Sequence, residues 1–301
     1  MSNTPGARLR AVLDRPSPLL LPGCADALVA RIAEVVGYEA VYATGAGIAN
    51  AMLGYPDIGL TTMTEAAAQV ERICEAVSVP VVADIDTGFG NAINAIRTTR
   101  AFERAGAAGL QLEDQVFPKR CGHFDGKEVI PLPEMLGKLR AVLDARVDSN
   151  LVIIARTDAI ATDGLEAAVE RAIAFADAGA DVVFIEAPRT REELAALPAR
   201  VPVPLVANMV EGGRTPLATV DELSAYGYRI ILFANTALRV GAAAVRDALT
   251  ELRTTGDASR LQDRMLSWED RQALVDLPRF EALDERYAPR PLRAKDGGAR
   301  T

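Results

Sequence analysis

The chain has 301 residues, half of them hydrophobic and a quarter charged, so it can bury a large core and is long enough for one α/β barrel. Its formal net charge of -8 argues against a nucleic-acid-binding surface, although a locally positive site for a small carboxylic acid stays open. No apolar stretch approaches membrane-spanning length, the three scattered cysteines suit a reducing compartment, and no leader-like pattern begins the chain. A cytoplasmic protein without a membrane partner is therefore expected.

Short apolar runs alternate with helical patterns from residue 19 onward, after a weakly patterned stretch at 1–15. Strands are predicted at 19–21, 40–44, 79–84, 109–113, 151–156, 181–186, 204–208 and 229–233. Helices are predicted at 26–36, 64–77, 91–105, 133–146, 165–178, 190–197, 219–226 and 236–253. In the first helix Leu28, Ile32 and Val35 share one face and Asp26 is a cap candidate, while Thr64 is the cap candidate of the second.

This alternation predicts the fold class. Continuous apolar strands that are each followed by a helix indicate a parallel sheet covered on its outer side. Eight such units predict a TIM-type (β/α)8 barrel over about residues 17–255 of a single domain. An open doubly wound sheet is the alternative, but residues 23–25 (Gly-Cys-Ala) after the first strand do not match its phosphate-binding fingerprint.

A C-terminal extension lies outside the eight units. A helix is predicted at 257–275, with Leu261, Met265, Trp268 and Leu274 as its apolar face, and an amphipathic piece follows at 280–287. Together they form a helical extension at about 257–288, which packs on one barrel or is exchanged between subunits. The Arg-, Gly- and Pro-rich tail at 289–301 is predicted to be disordered.

Polar residues interrupt the pattern where the strands end, which is where barrels place their chemistry. These residues are Thr44 and Gly45, Asp84 and Asp86, Glu113 and Asp114, Arg156 and Asp158, Glu186, and Asn208. Carboxylates gathered in one barrel mouth repel one another unless a cation neutralises them, and oxygen ligands favour Mg²⁺ or Mn²⁺ over zinc. Asp84 and Asp86 are the preferred metal ligands, with helix capping as the alternative.

Two further features carry potential chemistry. Arg156 suits bidentate recognition of a carboxylate or phosphate, or equally a salt bridge to Glu113 or Glu186. A long loop after the fourth strand contains Lys-Arg-Cys-Gly-His at 119–123, with the only histidine of the chain. Nearby positive charge favours the thiolate form of Cys121. The alternative is a solvated basic loop with an incidental cysteine.

Four motifs resemble the isocitrate lyase/phosphoenolpyruvate mutase superfamily in their order and spacing. They are Asp-Ile-Asp-Thr-Gly-Phe-Gly at 84–90, Gly-Leu-Gln-Leu-Glu-Asp-Gln at 109–115, Lys-Arg-Cys-Gly-His at 119–123, and Ala-Arg-Thr-Asp at 155–158. The resemblance runs over about residues 20–239, and the cysteine-bearing motif is specific to the lyase side. It implies a barrel with a swapped C-terminal helix, a homotetramer built from dimers, and Mg²⁺.

The resemblance also implies roles for single residues. Asp84 and Asp86 match the metal-site acids, and Glu113 matches the acid that orients metal-bound water. Positions that match substrate-binding or metal-shell residues are Thr44, Gly45, Ala46, Arg156, Glu186, Asn208 and Arg239. Cys121 matches the acid that protonates the product carbanion, on a gating loop with Gly122 and His123. Tyr42 is a tentative base for the substrate hydroxyl, with core packing as its alternative role.

The implied activity is cleavage of a carbon–carbon bond in a 2-hydroxy di- or tricarboxylate. The products would be a 2-oxo acid such as pyruvate and a second carboxylate, through an enolate that Cys121 protonates. Methylisocitrate lyases have Ser-Gly-Gly at 44–46, a proline at Ala234, and a further arginine where residues 266–268 read Leu-Ser-Trp. These departures favour a substituted malate over a tricarboxylate. The alternatives are phosphonate-forming mutase chemistry, indicated by Ala234 and Asn235, oxaloacetate hydrolysis or decarboxylation, and a non-catalytic binding barrel.

Overall fold

Eight parallel strands close into a barrel in chain order, which confirms the TIM-type fold. The structure, a computed structural model, describes residues 4–120 and 126–288. The strands are β1 (Leu19–Cys24), β2 (Val41–Ala43), β3 (Val81–Asp84), β4 (Gly109–Glu113), β5 (Val152–Thr157), β6 (Val182–Ile185), β7 (Leu205–Asn208) and β8 (Ile230–Phe233). Pairing of β1 with β8 completes the ring, with Leu19 opposite Ile230 and Leu21 opposite Leu232.

The described helices include at least one after each strand, one before β1 and two beyond Thr255. They are α1 (Pro5–Leu13), α2 (Ala27–Val36), α3 (Gly45–Ile48), α4 (Met63–Ala76), α5 (Ala92–Arg104), α6 (Leu132–Ala145), α7 (Ala159–Thr162), α8 (Leu165–Asp177), α9 (Arg191–Ala196), α10 (Val220–Tyr226), α11 (Thr236–Thr255), α12 (Trp268–Leu274) and α13 (Leu277–Tyr287). A π-helical turn (Ala49–Leu53) extends α3, and short 3-10 helices lie at Leu197–Ala199 and Ala258–Arg264.

Side-chain caps set where several helices begin. Asp26 caps α2 as predicted, because its carboxylate accepts a hydrogen bond from the backbone of Val29 at 2.9 Å. Thr62 rather than the predicted Thr64 caps α4. Its hydroxyl accepts from the backbone N–H of Glu65, whose carboxylate accepts in return from the backbone N–H of Thr62. This reciprocal capping box starts the helix at Met63.

The barrel has an inner and an outer apolar core. Side chains that alternate along the strands fill the interior, among them Tyr42, Val82, Ile154 and Phe184. Leu9 of α1 belongs to this inner cluster and is fully buried. No helix was predicted at residues 1–15, yet α1 forms there, because Thr4 caps it and Leu9, Val12 and Leu13 pack against the inner cluster.

Two helices leave apolar side chains on the surface. The apolar face of α2 is not buried. Leu28, Ile32 and Val35 are exposed, and the small residues Ala30 and Ala33 are buried instead. In α11, all of whose residues are described, none is buried. The helical pattern of both segments is therefore real, but its apolar side is not covered by the barrel.

The C-terminal extension is divided differently from the prediction. The single helix expected at 257–275 is a 3-10 helix and α12, because the hydroxyl of Ser267 caps a new helix through the backbone N–H of Asp270 at 2.9 Å. The described chain forms two compact units that meet at Thr254 and Thr255. The predicted disordered tail at 289–301 lies outside the described residues.

Among residues 4–120 and 126–288, no helix combines the length and the apolar character needed to cross a membrane.

Candidate active site

Strand periodicity brings the predicted site residues to one end of the barrel. Because successive side chains of a strand point to opposite faces, residues two positions apart share the interior. The inner-facing layer of Tyr42, Val82, Ile154 and Phe184 is therefore followed, two residues later, by Thr44, Asp84, Arg156 and Glu186. The same count places Glu113 and Asn208 at this end, and all six residues line one cavity.

The cavity has two chemically distinct walls. One, the charged wall, consists of Asp57, Asp84, Glu113, Lys119, Arg120, Arg156 and Glu186. The other, the neutral wall, consists of Thr44, Ala46, Val210, Leu232, Ala234 and Asn235. Tyr42 and Asn208 also line the cavity. A ligand held here meets carboxylates and cations on one side and small or apolar groups on the other.

Arg156 is the central cation of the charged wall. Its Nε lies 2.9 Å from Asp158 Oδ2 and 3.4 Å from Glu113 Oε2, and its Nη2 lies 3.1 Å from Glu186 Oε2. The ring of Phe184 packs 4.9 Å below the guanidinium carbon. Burial alone would lower the pKa of Arg156, but the surrounding carboxylates outweigh it and hold the pKa well above its ordinary value. Arg156 therefore stays a fixed cation in the mouth of the barrel, and both predicted roles are compatible.

A second group of ion pairs lies behind Arg156. Lys127 Nζ is 2.6 Å from Asp158 Oδ1, and both side chains are buried. The backbone N–H of Asp158 donates to Asp114 Oδ1 at 3.0 Å, and Arg171 lies 3.2 Å from Asp114 Oδ2. These residues do not line the cavity, but they surround the end of β5 that carries Arg156.

Asp84 and Asp86 lie together at the end of β3. Asp86 adopts a left-handed backbone conformation with φ of 46°, and its N–H donates to Asp84 Oδ1 at 3.0 Å. The N–H of Gly45 donates to Asp84 Oδ2 at 3.4 Å. A Cβ atom on Gly45 would lie 2.9 Å from the same oxygen, so this turn needs glycine to approach the carboxylate.

The donor set fits an oxygen-preferring cation. Burial, and then the charge of Asp86, raise the pKa of Asp84, and burial raises the pKa of Glu113 well above its ordinary value. Within the described residues, buried oxygens without a hydrogen-bond donor include Asp86 Oδ1, Glu113 Oε1, Glu186 Oε1 and Asn208 Oδ1. Buried anionic oxygens of this kind need a compensating positive charge.

A lysine supplies part of that charge. Lys119 Nζ lies 2.6 Å from Asp57 Oδ1 and 2.8 Å from Asp86 Oδ1. The second approach is an ion pair without the alignment of a hydrogen bond, so the oxygen of Asp86 can still accept another cation. In the described part of the chain, no three acidic, histidine or cysteine side chains converge around one point. Asp84 and Asp86 are therefore the ligand pair that could hold Mg²⁺, with Glu113 behind them.

Tyr42 lies in the floor of the cavity. Its side chain is buried, and burial, followed by the charge of Asp84, raises the pKa of its phenol well above its ordinary value. In the neutral wall, Thr44 Oγ1 lies 3.4 Å from Asn235 Oδ1. The phenol is thus a hydrogen-bond donor at neutral pH, and the polar part of the neutral wall is uncharged.

The structure brings most of the predicted site residues together, with some exceptions. Arg239 does not line this cavity, because its guanidinium is half exposed and bonds to the backbone oxygen of Glu211 at 2.5 Å. Cys121, Gly122 and His123 lie outside the described residues. Asp57, Lys127 and Arg171 were not predicted, since they contact the site only through long-range pairing that no local pattern reveals.

Known proteins resemble the chain over most of its length. A family model for phosphoenolpyruvate phosphomutase matches residues 9–253. The 2,3-dimethylmalate lyase of Eubacterium barkeri is 43% identical over 282 residues, which cover 94% of this chain and 98% of the lyase.

Solved structures resemble the fold as well. Oxaloacetate acetylhydrolase in complex with 3,3-difluorooxalacetate superimposes with a TM-score of 0.91 at 35% identity, covering 96% of this chain and 99% of the hydrolase. Phosphonopyruvate hydrolase in complex with oxalate and Mg²⁺ superimposes with a TM-score of 0.86 at 32% identity, covering 95% and 100%. The chain therefore belongs to the phosphoenolpyruvate phosphomutase family within the isocitrate lyase/phosphoenolpyruvate mutase superfamily, and it is a lyase-type enzyme of that superfamily.

Proposed function

We propose that the chain cleaves a carbon–carbon bond of a substituted 2-hydroxy dicarboxylate with the help of Mg²⁺ or Mn²⁺. The products would be a 2-oxo acid such as pyruvate and a second carboxylate. One observation carries the proposal: Arg156, which is fixed by Asp158, lines the same cavity as Asp84, whose Oδ1 accepts a hydrogen bond from the backbone of Asp86. A lyase relative that acts on a substituted malate supports it.

Arg156 would bind the carboxylate next to the bond that breaks. In the described part of the chain, Nε and Nη2 have carboxylate partners, whereas no acceptor is recorded for Nη1. Nη1 is therefore the edge that remains for a substrate oxygen. A fixed guanidinium stabilises the negative charge that develops on the departing enolate without having to reorganise.

Asp84 and Asp86 would hold the divalent cation, with Glu113 behind them. The bound ion would supply further stabilisation of negative charge on the oxygens of the 2-oxo acid. The buried, donor-free oxygens of this group support the assignment. Lys119 occupies the outer side of Asp86 and would add a second positive charge at the same edge.

Two proton movements are needed, one from the substrate hydroxyl and one to carbon. Tyr42 was the base expected from the sequence, but its raised pKa keeps the phenol protonated at neutral pH. We therefore assign Tyr42 as a hydrogen-bond donor to a substrate oxygen. Glu113, which lines the cavity with a buried Oε1 that has no hydrogen-bond partner, would accept the proton of the substrate hydroxyl. Cys121, which Gly122 and His123 follow in the sequence, stays the proposed acid that protonates the enolate carbon. Lys119 and Arg120, which precede it in the chain, line the cavity.

The neutral wall supports a compact substrate. Ala46, Val210, Leu232 and Ala234 offer an apolar surface for alkyl substituents, and Asn235 adds an uncharged amide. The cations found among the described lining residues are Lys119, Arg120 and Arg156, and all three belong to the charged wall, opposite the surface that would hold the substituents. We therefore place substituted malates ahead of methylisocitrate.

A substrate panel tests the proposal. Purified protein with Mg²⁺, with Mn²⁺ or with EDTA is offered 2,3-dimethylmalate, 2-methylmalate, 2-methylisocitrate and isocitrate, and 2-oxo acid release is measured. We expect metal-dependent release from a substituted malate, and at least a hundredfold loss in Arg156→Met, in line with the loss of a charge-stabilising group. Folded protein that releases no 2-oxo acid from any of the four would refute the proposal.

Oxaloacetate hydrolysis is the second candidate function. The structural likeness to oxaloacetate acetylhydrolase favours it, and Asn235 could bind a hydrated or carbonyl oxygen in the neutral wall. Formation of oxalate and acetate from oxaloacetate, at a rate above that of any malate, would make it the better description. Phosphonopyruvate followed by phosphorus NMR tests the mutase alternative in the same series.

We further propose a helix-exchanged tetramer. Val240, Val245 and Leu249 of α11 are exposed. An apolar groove lies nearby, with Ile32 and Val36 of α2 in its wall. A second copy of the chain would cover both surfaces if α11 packed against the neighbouring barrel.

A further inference from the structure

We propose that Asp158 is a positioning residue that aims Arg156 at the substrate, and that Lys127 holds Asp158 in place from the opposite side. The proposal rests on the proposed function, since it assigns to Arg156 the binding of a substrate carboxylate. It concerns residues that lie behind the cavity and touch no ligand.

Asp158 grips one edge of the Arg156 guanidinium with two hydrogen bonds. Nε donates to Oδ2 at 2.9 Å and Nη2 donates to Oδ1 at 3.1 Å. Two parallel bonds fix the plane of the guanidinium as well as its position, which a single bond does not. The ring of Phe184 lies against the flat side of the group at 4.9 Å.

The two hydrogen bonds to Asp158 determine which edge of the Arg156 guanidinium remains for the substrate. Glu186 Oε2 takes a further approach to Nη2 at 3.1 Å. Nε and Nη2 both contact carboxylates, whereas Nη1 donates no hydrogen bond within the part of the chain that the structure describes. The two hydrogen bonds to Asp158 hold the side chain in one rotamer and fix the plane of its guanidinium, so they also fix the direction in which Nη1 points.

Asp158 is itself held on two sides. Its backbone N–H donates to Asp114 Oδ1 at 3.0 Å, and Arg171 ties Asp114 to the carbonyl oxygen of Ile130 at 2.9 Å. The Asp158 carboxylate is fully buried, and Lys127 Nζ lies 2.6 Å from its Oδ1. Asp158, which orients Arg156, is thus held in place through its backbone by Asp114 and through its carboxylate by Lys127.

Lys127 connects Asp158 to the segment between β4 and α6. Val116 N–H donates to the carbonyl of Glu128 at 2.8 Å, and Ile130 N–H donates to the carbonyl of Asp114 at 2.8 Å. The two described ends of the segment are therefore paired with each other, and Lys127 directly precedes the paired residues. Asp158 consequently joins the end of β5 to the base of the segment that carries Lys119 and Arg120.

Charge explains why both cations are needed. Asp158, Glu113 and Glu186 all approach Arg156, and three carboxylates around one guanidinium leave excess negative charge. Lys127 compensates Asp158 without occupying the cavity. A purely structural ion pair is the competing explanation, because the loss of one partner of a buried pair often destabilises a protein without touching its chemistry.

The test compares Asp158→Asn, Lys127→Met and Lys127→Arg with a control, Asp181→Asn. Asp181 pairs with Arg10 and Arg146 just before β6, at the other end of the barrel. Thermal stability, kcat, KM and the Kd for oxalate with Mg²⁺ are measured for each. We expect Asp158→Asn to lower kcat/KM and weaken oxalate binding roughly 10- to 100-fold, as a misplaced binding group does. Lys127→Met should lie between Asp158→Asn and wild type, and Lys127→Arg within a few-fold of wild type.

A double-substitution cycle separates positioning from stability. If Asp158 acts through Arg156, Asp158→Asn should cause no further kinetic loss in an Arg156→Met background. Equal kinetic effects of Asp158→Asn and Asp181→Asn at equal loss of stability would overturn the inference. If Asp158→Asn does not fold, Lys127→Met decides, and wild-type kinetics in that variant would overturn it. A wild type that cleaves no acid and binds no oxalate would refute the proposed function as well, whereas an active wild type with unaffected variants would refute this inference alone.

Discussion

The ammonium nitrogen of Lys119 lies 2.8 Å from a carboxylate oxygen of Asp86, so a side chain assigned to a metal ion is also paired with a lysine of the same chain. Asp57 holds the ammonium from the other side at 2.6 Å. Burial alone would lower the pKa of Lys119, but Asp86 and Asp57 outweigh it and raise the pKa well above its ordinary value. The lysine is therefore a permanent cation at this edge.

Lys119→Met should separate metal binding from turnover. A divalent ion competes with the ammonium for Asp86, so we expect Mn²⁺ to bind several-fold more tightly to the variant while its turnover falls. Electron paramagnetic resonance of Mn²⁺ measures the affinity. Lys138→Met is the matched control, because Lys138 is a buried lysine that donates to the carbonyl oxygen of Thr87 and, within residues 4–120 and 126–288, forms no ion pair with a carboxylate. Unchanged Mn²⁺ affinity in Lys119→Met would contradict the expectation.

Tyr42→Phe should lower kcat at least tenfold without loss of the fold, because it removes a hydrogen-bond donor beside the reacting oxygens. The raised pKa of Tyr42 predicts no tyrosine-dependent change in rate up to about pH 10. Rate profiles over this pH range check both points. Tyr228→Phe serves as the comparison, since its hydroxyl bonds to the carbonyl oxygen of Leu194 at 2.9 Å. That variant should lose about 1 kcal/mol of stability and keep its kinetics.

The stability of the protein should fall in acid partly through Asp158. Burial alone would raise the pKa of Asp158, but Arg156 and Lys127 outweigh it and lower the pKa from 3.8 to about 2. A lowered pKa in the folded state contributes stability above the unfolded value of 3.8, and this contribution is lost as the pH falls through about 2. Urea unfolding at several pH values should show the advantage of wild type over Asp158→Asn shrinking across that window. A constant difference would contradict it.

Asp114 should change the pH dependence of stability in the opposite direction to Asp158. Burial raises its pKa from 3.8 to about 6. Such a group contributes stability that is fully present below 3.8 and is lost as the pH rises through about 6. Relative to Asp114→Asn, wild type should therefore gain unfolding free energy between about pH 6 and pH 4, measured in the same urea series. If wild type instead lost unfolding free energy between pH 6 and pH 4, the charge of Arg171 would affect the pKa of Asp114 more strongly than burial does.

Val245→Glu in α11 should dissociate the proposed tetramer, because it places a charge in a surface that a second copy would bury. Light scattering should then report a smaller particle than wild type. Val147→Glu is the control, since Val147 is 84% exposed in the turn after α6. Identical particle masses for both variants and wild type would count against helix exchange.

The barrel and the positions of most site residues were predictable from local pattern. Continuous apolar strands identified the sheet, and polar residues at the strand ends identified Asp84, Glu113 and Arg156, because strand periodicity directs these side chains inward. The covered side of α2 was not predictable. Ala30 and Ala33 are buried there although Leu28 is more apolar, since the available space and not hydrophobicity decides which side faces the barrel.

Long-range ion pairs also could not be predicted from the sequence. Asp57, Lys127 and Arg171 are ordinary charged residues in the chain, and only the fold brings them to Lys119, Asp158 and Asp114. For Arg239 the position in the sequence was recognisable but the contact was not. Its side chain bonds to Glu211 and does not line the cavity.

The two walls of the cavity differ in how freely they can change. In the charged wall, Arg156 alone contacts three carboxylates, so a substitution there disturbs several partners at once. In the neutral wall, the hydroxyl of Thr44 donates to Asn235 Oδ1 at 3.4 Å, and Ala46 and Ala234 present only methyl groups. Single substitutions in the neutral wall can therefore alter which acid is accepted and leave the bond-breaking groups intact. Enzymes built this way can diversify their substrates in small steps, one side chain at a time.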